Sequence, residues 1–338
     1  MIPVLVMSAA ALMSSAITAR VKEYARSRRI LDVPNGRSLH QAAVPRGGGL
    51  GFVTTILISL PLMWFFFPAD SPLWLALLGS LPIAVTGWLD DRFSLPASRR
   101  FLVHSLVAAW AVWMLGGLEG VRLGTIELDL GAFGYPLAWL LVVWLINLYN
   151  FMDGIDGLAA GQAVLVGAVG ALLASAGGNV GLAWFAALVA ASCAGFLQWN
   201  LPPARIFMGD AGSGFLGYVF AVVALYSEAS GGPPLLVWLL LLGVFVVDST
   251  ATLIQRWLAG ERWYEAHRSH AYQRAVQLGF SHRFVTLTVL GITAVLAAVA
   301  WVVNTLPALA LPVALLDFGL LLLIWRYVYK RSRRADAG

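Results

Sequence analysis

Charge is scarce in this chain. Only 12% of its 338 residues are Asp, Glu, Lys or Arg, about half the share a soluble domain uses to cover a water-facing surface. That shortage excludes a soluble enzyme, a secreted domain and a disordered chain. Cysteine is nearly absent: Cys193 stands alone in an apolar run, so no internal disulfide can form and the redox compartment cannot be read from it. No long polar stretch offers room for an inserted soluble domain. What remains is hydrophobic sequence, 60% of the chain, with a mean hydropathy of +0.81.

Eleven apolar runs account for it, at about 2–19, 50–67, 73–89, 101–118, 133–148, 158–176, 180–199, 213–227, 234–254, 284–303 and 306–325. About 20 apolar residues cross the hydrocarbon core as one helix. The expected fold is therefore an all-α polytopic membrane protein with about eleven transmembrane helices, and a β-barrel is excluded. The first run lacks the basic segment that precedes a signal-peptide core. Arg20, Lys22, Arg26, Arg28 and Arg29 follow it instead, which reads as a retained helix.

The net charge of +5 would suit nucleic acid in a soluble protein, but no nucleic-acid partner is expected here, because membrane proteins concentrate Lys and Arg in cytoplasmic loops. Alternating through eleven spans puts 21 of the 22 Lys and Arg residues on one side, and only Arg122 opposite. That side is read as cytoplasmic, with the N-terminus outside and the C-terminus inside. The opposite connections are short except 119–132, where alternation around Gly124 predicts a small periplasmic hairpin near 121–130. With no inserted domain and no internal repeat, residues 1–338 form one integral membrane domain. Its function must come from the bundle and from loops 20–47, 90–100, 150–157, 200–212 and 255–283.

Carboxylates near lipid are costly, so each needs a reason. Asp90 and Asp91 end the third run, Asp153 and Asp156 the fifth, Asp210 precedes the eighth, and Asp248 lies near the inner end of the ninth. All six fall at the cytoplasmic mouth. Six converging acids repel one another unless cations join them, and hard divalent ions share carboxylate oxygens with substrate phosphates. Helix capping is the plain alternative for a lone Asp at a helix start. It does not suit Asp90 and Asp91 at a helix C-terminus, where the macrodipole disfavours anions. Asn147, Asn150, Asp153 and Asp156 recur every three residues and predict one polar helical stripe.

Two glycine-rich stretches, 45–49 and 209–214, open helices and could bring backbone N–H groups to an anion. The competing reading is close helix packing by small residues. The connection 256–283 mixes Arg262, Trp263, Tyr264, His267, Arg268, His270, Tyr272 and Arg274. Arginine with aromatic rings suits a nucleotide sugar, or else an anionic lipid surface.

In order along the chain stand Asp32-Val33-Pro34-Asn35 with Arg37 and His40, then Gly47 to Gly49, then Asp90-Asp91-Arg92-Phe93. After these come Asn147 to Leu158, Phe207-Met208-Gly209-Asp210-Ala211-Gly212-Ser213, Asp248 with Arg256, and the His270 loop. This succession resembles the polyprenyl-phosphate N-acetylhexosamine-1-phosphate transferases of glycosyltransferase family 4. The resemblance covers nearly the whole chain and looks closest to the O-antigen-initiating branch.

The resemblance implies a bacterial inner-membrane enzyme with a cytoplasmic active site. It would transfer an N-acetylhexosamine 1-phosphate from a UDP-sugar donor to undecaprenyl phosphate, releasing UMP and starting O-antigen, lipopolysaccharide or related envelope polysaccharide synthesis. Arg37 is followed by Ser38, where the family commonly has Lys, and the last loop reads His270-Ala271-Tyr272-Gln273 rather than His-x-His-His. That loop is expected to read the sugar, so its departure favours a donor variant such as a 6-deoxy sugar, FucNAc or QuiNAc, beside GlcNAc itself. Mg²⁺, or Mn²⁺ in its place, would sit on Asp210 with Asp153 or Asp156. Asp90 would serve as base or orient the lipid phosphate, with Asp91 supporting it. Asn147 and Asn150 would meet donor phosphate or nucleoside, and Arg37, His40 and Arg46 phosphate. His270 with Arg268 would meet the sugar diphosphate, and Asp248 belongs to the same substrate set. Membrane lipid surrounds the chain, and a homodimer is among the assemblies allowed. Rival readings are a phospho-N-acetylmuramoyl-pentapeptide transferase, a secondary transporter, which would bind near the midplane, and a non-catalytic scaffold.

Overall fold

The computed structural model describes residues 2–32, 43–262 and 267–337. A helix or helix pair stands at each of the eleven apolar runs. α1 (Ile2–Ser27) leads through a ribbon of β1 (Leu31–Asp32) and β2 (Val44–Pro45) to α2 (Leu50–Phe66). The third run is two helices, α3 (Ser71–Leu77) and α4 (Ser80–Phe93), and the fourth is α5 (Ala97–Leu115). A second antiparallel ribbon, β3 (Gly120–Leu123) with β4 (Ile126–Asp129), precedes α6 (Gly134–Phe151), α7 (Leu158–Ala176), α8 (Val180–Asn200) and α9 (Asp210–Ala229). The ninth run is again a pair, α10 (Leu235–Leu241) and α11 (Gly243–Leu258). The short α12 (Ala271–Gln277) then leads to α13 (His282–Thr305) and α14 (Ala310–Ala337).

Eight of these helical stretches are long and apolar enough to span a bilayer, or nine if α10 and α11, bent by 80°, make one span. The chain is a multi-pass α-helical membrane protein. The expected eleven differ from this tally for two reasons. α2 has only 17 residues, and α5 opens with Arg99 and Arg100 and carries His104, which dilute its apolar character. The hairpin expected near 121–130 is the β3–β4 ribbon, which pairs Val121 with Leu128.

α9 is the axis. Nearly all of it is buried, against α4 and α6 above all. Small residues make that approach possible, since lipid gives no hydrophobic drive for helix association and close packing must supply it. A side chain at Gly217 would strike the backbone of Leu145 and Ile146, and one at Gly87 the backbone of Asp210.

Backbone groups freed at breaks are satisfied internally, as the hydrocarbon region demands. Where α10 bends into α11, Gln162 donates to Leu241 O at 2.9 Å and accepts from Thr293 Oγ1 at 2.7 Å. Arg122, the one cation outside the basic side, has a structural task. Its N and Nε both reach Glu228 Oε1 at 2.9 Å, and Nη2 reaches Gly232 O at 2.9 Å, tying the ribbon to the end of α9.

The polar stripe expected on one helix face is corrected by the end of α6. The helix stops at Phe151, so only Asn147 and Asn150 lie on it. Asp153 and Asp156 sit in the following loop. Tyr272 Oη donates to Phe151 O at 2.8 Å and closes the helix end. Asn200 Oδ1 accepts from Gly157 N at 3.0 Å, and Gly157 adopts φ +74°, which only glycine takes without strain.

Candidate active site

Four sequence-distant elements converge at the charged end of the bundle. The glycine-rich turn before α2 pairs with the segment before α9: Phe207 N donates to Pro45 O at 2.9 Å, Gly48 N to Phe207 O at 2.8 Å, and Gly49 N to Met208 O at 2.9 Å. The N–H groups of Gly48 and Gly49 are therefore committed to the fold. Their smallness lets the starts of α2 and α9 touch, since a side chain at Gly49 would collide with Gly212. Gly209, at φ +79°, turns the chain into α9, and a side chain there would strike the Asp91 carboxylate.

An anion does occupy the α9 N-terminus, and it is the chain's own. Asp91 Oδ1 accepts from Asp210 N at 3.0 Å. From the end of α4 it meets the positive pole of α9, which accounts for an acid at a helix C-terminus. Arg46 then bridges two carboxylates, with Nε 2.8 Å from Asp91 Oδ1 and Nη2 2.9 Å from Asp210 Oδ1. Burial alone would lower the Arg46 pKa, but Asp210, Asp91, Asp32 and Asp153 outweigh it and raise it. The guanidinium is permanently charged.

A second arginine, unremarked in the sequence, completes the set. Arg100 Nη1 lies 2.6 Å from Asp90 Oδ2 and 3.6 Å from Asp210 Oδ2. Asp90 Oδ1 also accepts from Leu95 N at 2.6 Å. The only available signal was position: Arg100 stands on the first turns of a helix beginning beside the Asp pair. Asn150 Nδ2 donates to Asp210 Oδ1 at 3.1 Å and to Ser213 Oγ at 2.9 Å.

Asp153 differs from its neighbours. Its carboxylate accepts no hydrogen bond among the described residues, and its pKa is raised, first by burial and then by Asp210, with Arg46 opposing. Asp90, Asp91, Asp153 and Asp210 with Arg46 and Arg100 carry a formal −2, the deficit a divalent cation cancels. The donors are carboxylate oxygens, which suit a hard cation. Among the described residues no three acids close on one point, so such an ion would hold one or two carboxylates and complete its shell with water or phosphate, as Mg²⁺ commonly does. The residues fit the ion as an open site.

Other expected residues lie beside this set. Asp156 Oδ2 accepts from Ala204 N at 3.0 Å, and its Oδ1 lies 3.5 Å from His282 Nδ1, so its carboxylate is engaged away from Asp210. Asn147 donates to Val143 O at 2.7 Å within its own helix and lines the cavity described below. Asp248 caps α12: Oδ1 accepts from Ala271 N at 2.7 Å and Oδ2 from Tyr272 N at 3.2 Å. His270 is buried and stacks on Phe151, centroids 5.8 Å apart, which docks its loop against the end of α6. Arg268 is exposed. Arg37 and His40 lie outside the described residues, as do Trp263 and Tyr264.

A cavity of about 490 Å³ opens from Asp90, Arg100, Asn150 and Asp210 and runs between α4, α5 and α6 past Phe101, Leu140 and Trp144. Leu140, Trp144 and Leu253 also line a largely apolar groove between α6 and α11, with Leu137, Trp257 and Thr250. A charged cavity and an apolar trough thus adjoin, sharing Leu140, Trp144 and Leu253 as a common wall.

Comparison with known proteins gives the family. The profile described as glycosyl transferase family 4 matches residues 73–228. A probable undecaprenyl-phosphate N-acetylglucosaminyl 1-phosphate transferase of Bacillus subtilis (strain 168) is 33% identical over 81% of this chain and 77% of its own length. An undecaprenyl-phosphate alpha-N-acetylglucosaminyl 1-phosphate transferase of Escherichia coli O157:H7 is 30% identical, over 90% and 84%. A phospho-N-acetylmuramoyl-pentapeptide-transferase of Heliobacterium modesticaldum is 35% identical over 66% and 71%.

Proposed function

The chain belongs to glycosyl transferase family 4, and from that premise we propose that it transfers an N-acetylhexosamine 1-phosphate from a UDP-sugar to undecaprenyl phosphate. One observation carries the reading: the cavity headed by the acid–arginine set adjoins an apolar trough, an arrangement that suits a lipid with a phosphate head. In the reaction an oxygen of the lipid phosphate attacks the sugar-bearing phosphorus of the donor. A new P–O bond forms, the diphosphate bond breaks, and UMP leaves.

Both reactants are anions, so the repulsion between them must be offset. Arg100, between Asp90 and Asp210 at the head of the cavity, is placed to meet the acceptor phosphate. Asp90, held by Leu95 N–H and Arg100, orients that arginine. Arg46 and Asp91 fix Asp210 by bonds that leave it little freedom, and Asn150 fixes it from α6. A phosphate monoester's second pKa near 6 means that little proton removal is needed at neutral pH, so no strong base is called for. Asp210 and Asp153 would hold Mg²⁺, with Mn²⁺ able to replace it. When bound, the ion supplies charge neutralisation and alignment of the donor diphosphate. Positioning and electrostatics make up most of the catalysis in such transfers.

We place the site on the cytoplasmic face of a bacterial inner membrane, because the Lys and Arg bias marks that side. The donor is proposed as UDP-GlcNAc or a 6-deoxy relative, feeding O-antigen or a related envelope polysaccharide. The likeness to the Heliobacterium enzyme keeps a muramoyl-pentapeptide donor as the second reading. Mass spectrometry of the lipid product from a panel of UDP-sugars tests both. One sugar 1-phosphate on undecaprenyl phosphate, with UMP released, is expected, and a pentapeptide-bearing product would favour the second reading. Asp210→Asn is expected to cut turnover at least about a hundredfold, the scale of losing a group that stabilises developing charge. Full Mg²⁺-dependent activity in that variant would refute the metal assignment.

A further inference from the structure

We propose that a pocket on the far side of the Arg46–Asp91 pair binds the headgroup of an anionic phospholipid. The pocket, of about 240 Å³, lies between the end of α1, the start of α2 and the end of α4. It backs onto the same ion pair that grips Asp210, but it shares no lining residue with the cavity that carries Asp90 and Arg100. Val21, Leu50 and Trp88 make its walls apolar, and Arg20 and Arg92 form its rim.

Neither arginine is tied to an acid of the fold among the described residues, unlike the arginines that hold the structure together. Arg46, Arg100, Arg122 and Arg256 each hold a carboxylate. Among the described residues no carboxylate lies within ion-pair distance of Arg20 or Arg92, and residues 33–42 contain neither Asp nor Glu. Arg92 instead lies over the rings of Trp88, at 5.8 Å, and Phe93, at 5.4 Å. Stacking fixes the guanidinium plane and leaves its N–H groups free for a phosphate diester.

The position selects the occupant. Arg20 follows the apolar part of α1, and Arg92 is the penultimate residue of α4, so both sit where a spanning helix leaves the hydrocarbon. Tyr24 and Trp88 flank them as interfacial aromatics do. Basic residues at that depth attract anionic lipid headgroups, and apolar walls below the rim accept the start of an acyl chain, which a soluble phosphate lacks. A lipid bridging Arg20 and Arg92 would hold the ends of α1 and α4 together and so steady the Asp91–Arg46 wall of the reactive set.

The test uses the purified full chain in detergent, titrated with dioleoyl phosphatidylglycerol or dioleoyl phosphatidylcholine, with retained lipid counted by native mass spectrometry. Phosphatidylglycerol is expected to be retained preferentially. The double variant Arg20→Gln/Arg92→Gln is expected to bind it roughly thirtyfold more weakly, the effect of two interfacial basic side chains. Arg20→Lys/Arg92→Lys is expected to recover part of that binding. Arg331→Gln/Arg334→Gln, an equal charge change on α14, is expected to leave it unchanged. If the double Gln variant does not fold, Arg20→Gln alone, at an exposed position, carries the test with a smaller loss. Unchanged phosphatidylglycerol binding in these variants, equal retention of phosphatidylcholine, or displacement of the lipid by millimolar inorganic phosphate would each overturn the proposal.

Discussion

Replacing Arg46 with Gln removes a cation that touches both Asp91 and Asp210. The native side chain makes two charge-assisted bonds, at 2.8 Å with an Asp91 carboxylate that is only 4% exposed and at 2.9 Å with Asp210. Breaking a buried pair by deleting one partner costs about 3–5 kcal/mol, because the other charge is left behind. Arg46 is itself 33% exposed, so water screens part of the interaction and the lower end, about 3 kcal/mol, is the reasonable figure. For a chain of 338 residues, at about 2.1 cal/mol/K of unfolding entropy per residue, that corresponds to a fall in melting temperature of roughly 4 °C. The 14 tryptophans make intrinsic fluorescence in detergent a direct assay. The variant's acid set carries one more uncompensated negative charge, so millimolar Mg²⁺ should raise its melting temperature more than that of the native protein, as a ligand specific to the folded state does. Arg46→Lys should recover less than half the loss, since a point charge cannot replace a two-pronged donor. A Gln variant melting within about 1 °C of the native protein would refute the reasoning, given that even a loss of 1 kcal/mol shifts the midpoint more than that. A Mg²⁺ response no larger than native would refute it as well.

Three further outcomes are expected. Asp248→Ala removes the acceptor for Ala271 N and Tyr272 N and should cost about 1–2 kcal/mol, the usual worth of a helix cap; because the loop it holds packs on the end of α6, steady-state kinetics should show KM for the donor rising more than kcat falls. His267 has its pKa pushed down to about 3, first by burial and then by His270, Arg256 and Arg274. It stays neutral in the fold while the unfolded chain takes up a proton near pH 6.5, so its contribution is intact above that pH and lost as pH falls toward 3; melting curves of His267→Asn against native between pH 7.5 and 4.5 should converge at the acid end. Leu140→Trp, at the junction of the charged cavity and the apolar trough, should raise KM for long-chain polyprenyl phosphate at least about tenfold, a change of about 1.4 kcal/mol, and should spare a short-chain acceptor in the same turnover assay.

Much of the fold was legible because lipid imposes a simple rule on sequence. A spanning helix must be apolar along its length, so every apolar run coincides with a helix or a helix pair, and alternation around Gly124 revealed the β3–β4 ribbon. Breaks inside a run were not legible. The bend between α10 and α11 falls at Leu242 and Gly243, amid uninterrupted apolar residues, and is sustained by Gln162 on α7, far away in sequence. The end of α6 was missed because periodicity persists through Asp156, whereas the chain departs after Phe151 through contacts from Tyr272 and Asn200. In the site, the acids stood out because charge in an apolar chain is conspicuous. Their division of labour did not, since it depends on partners: Asp91 takes the α9 N-terminus, Asp248 caps α12, Asp156 turns to Ala204 and His282, and Asp153 is left without a donor among the described residues. Arg100 was hidden among basic residues that orientation already explained.

Manganese titration of the purified full-length chain, followed by electron paramagnetic resonance, addresses the metal assignment without relying on turnover. The expectation is one bound ion per chain in the presence of UDP, lost in Asp210→Asn and weakened in Asp153→Asn, while Asp248→Asn binds as the native chain does. Equal binding in native, Asp210→Asn and Asp153→Asn proteins, or no ion bound at all, would contradict it.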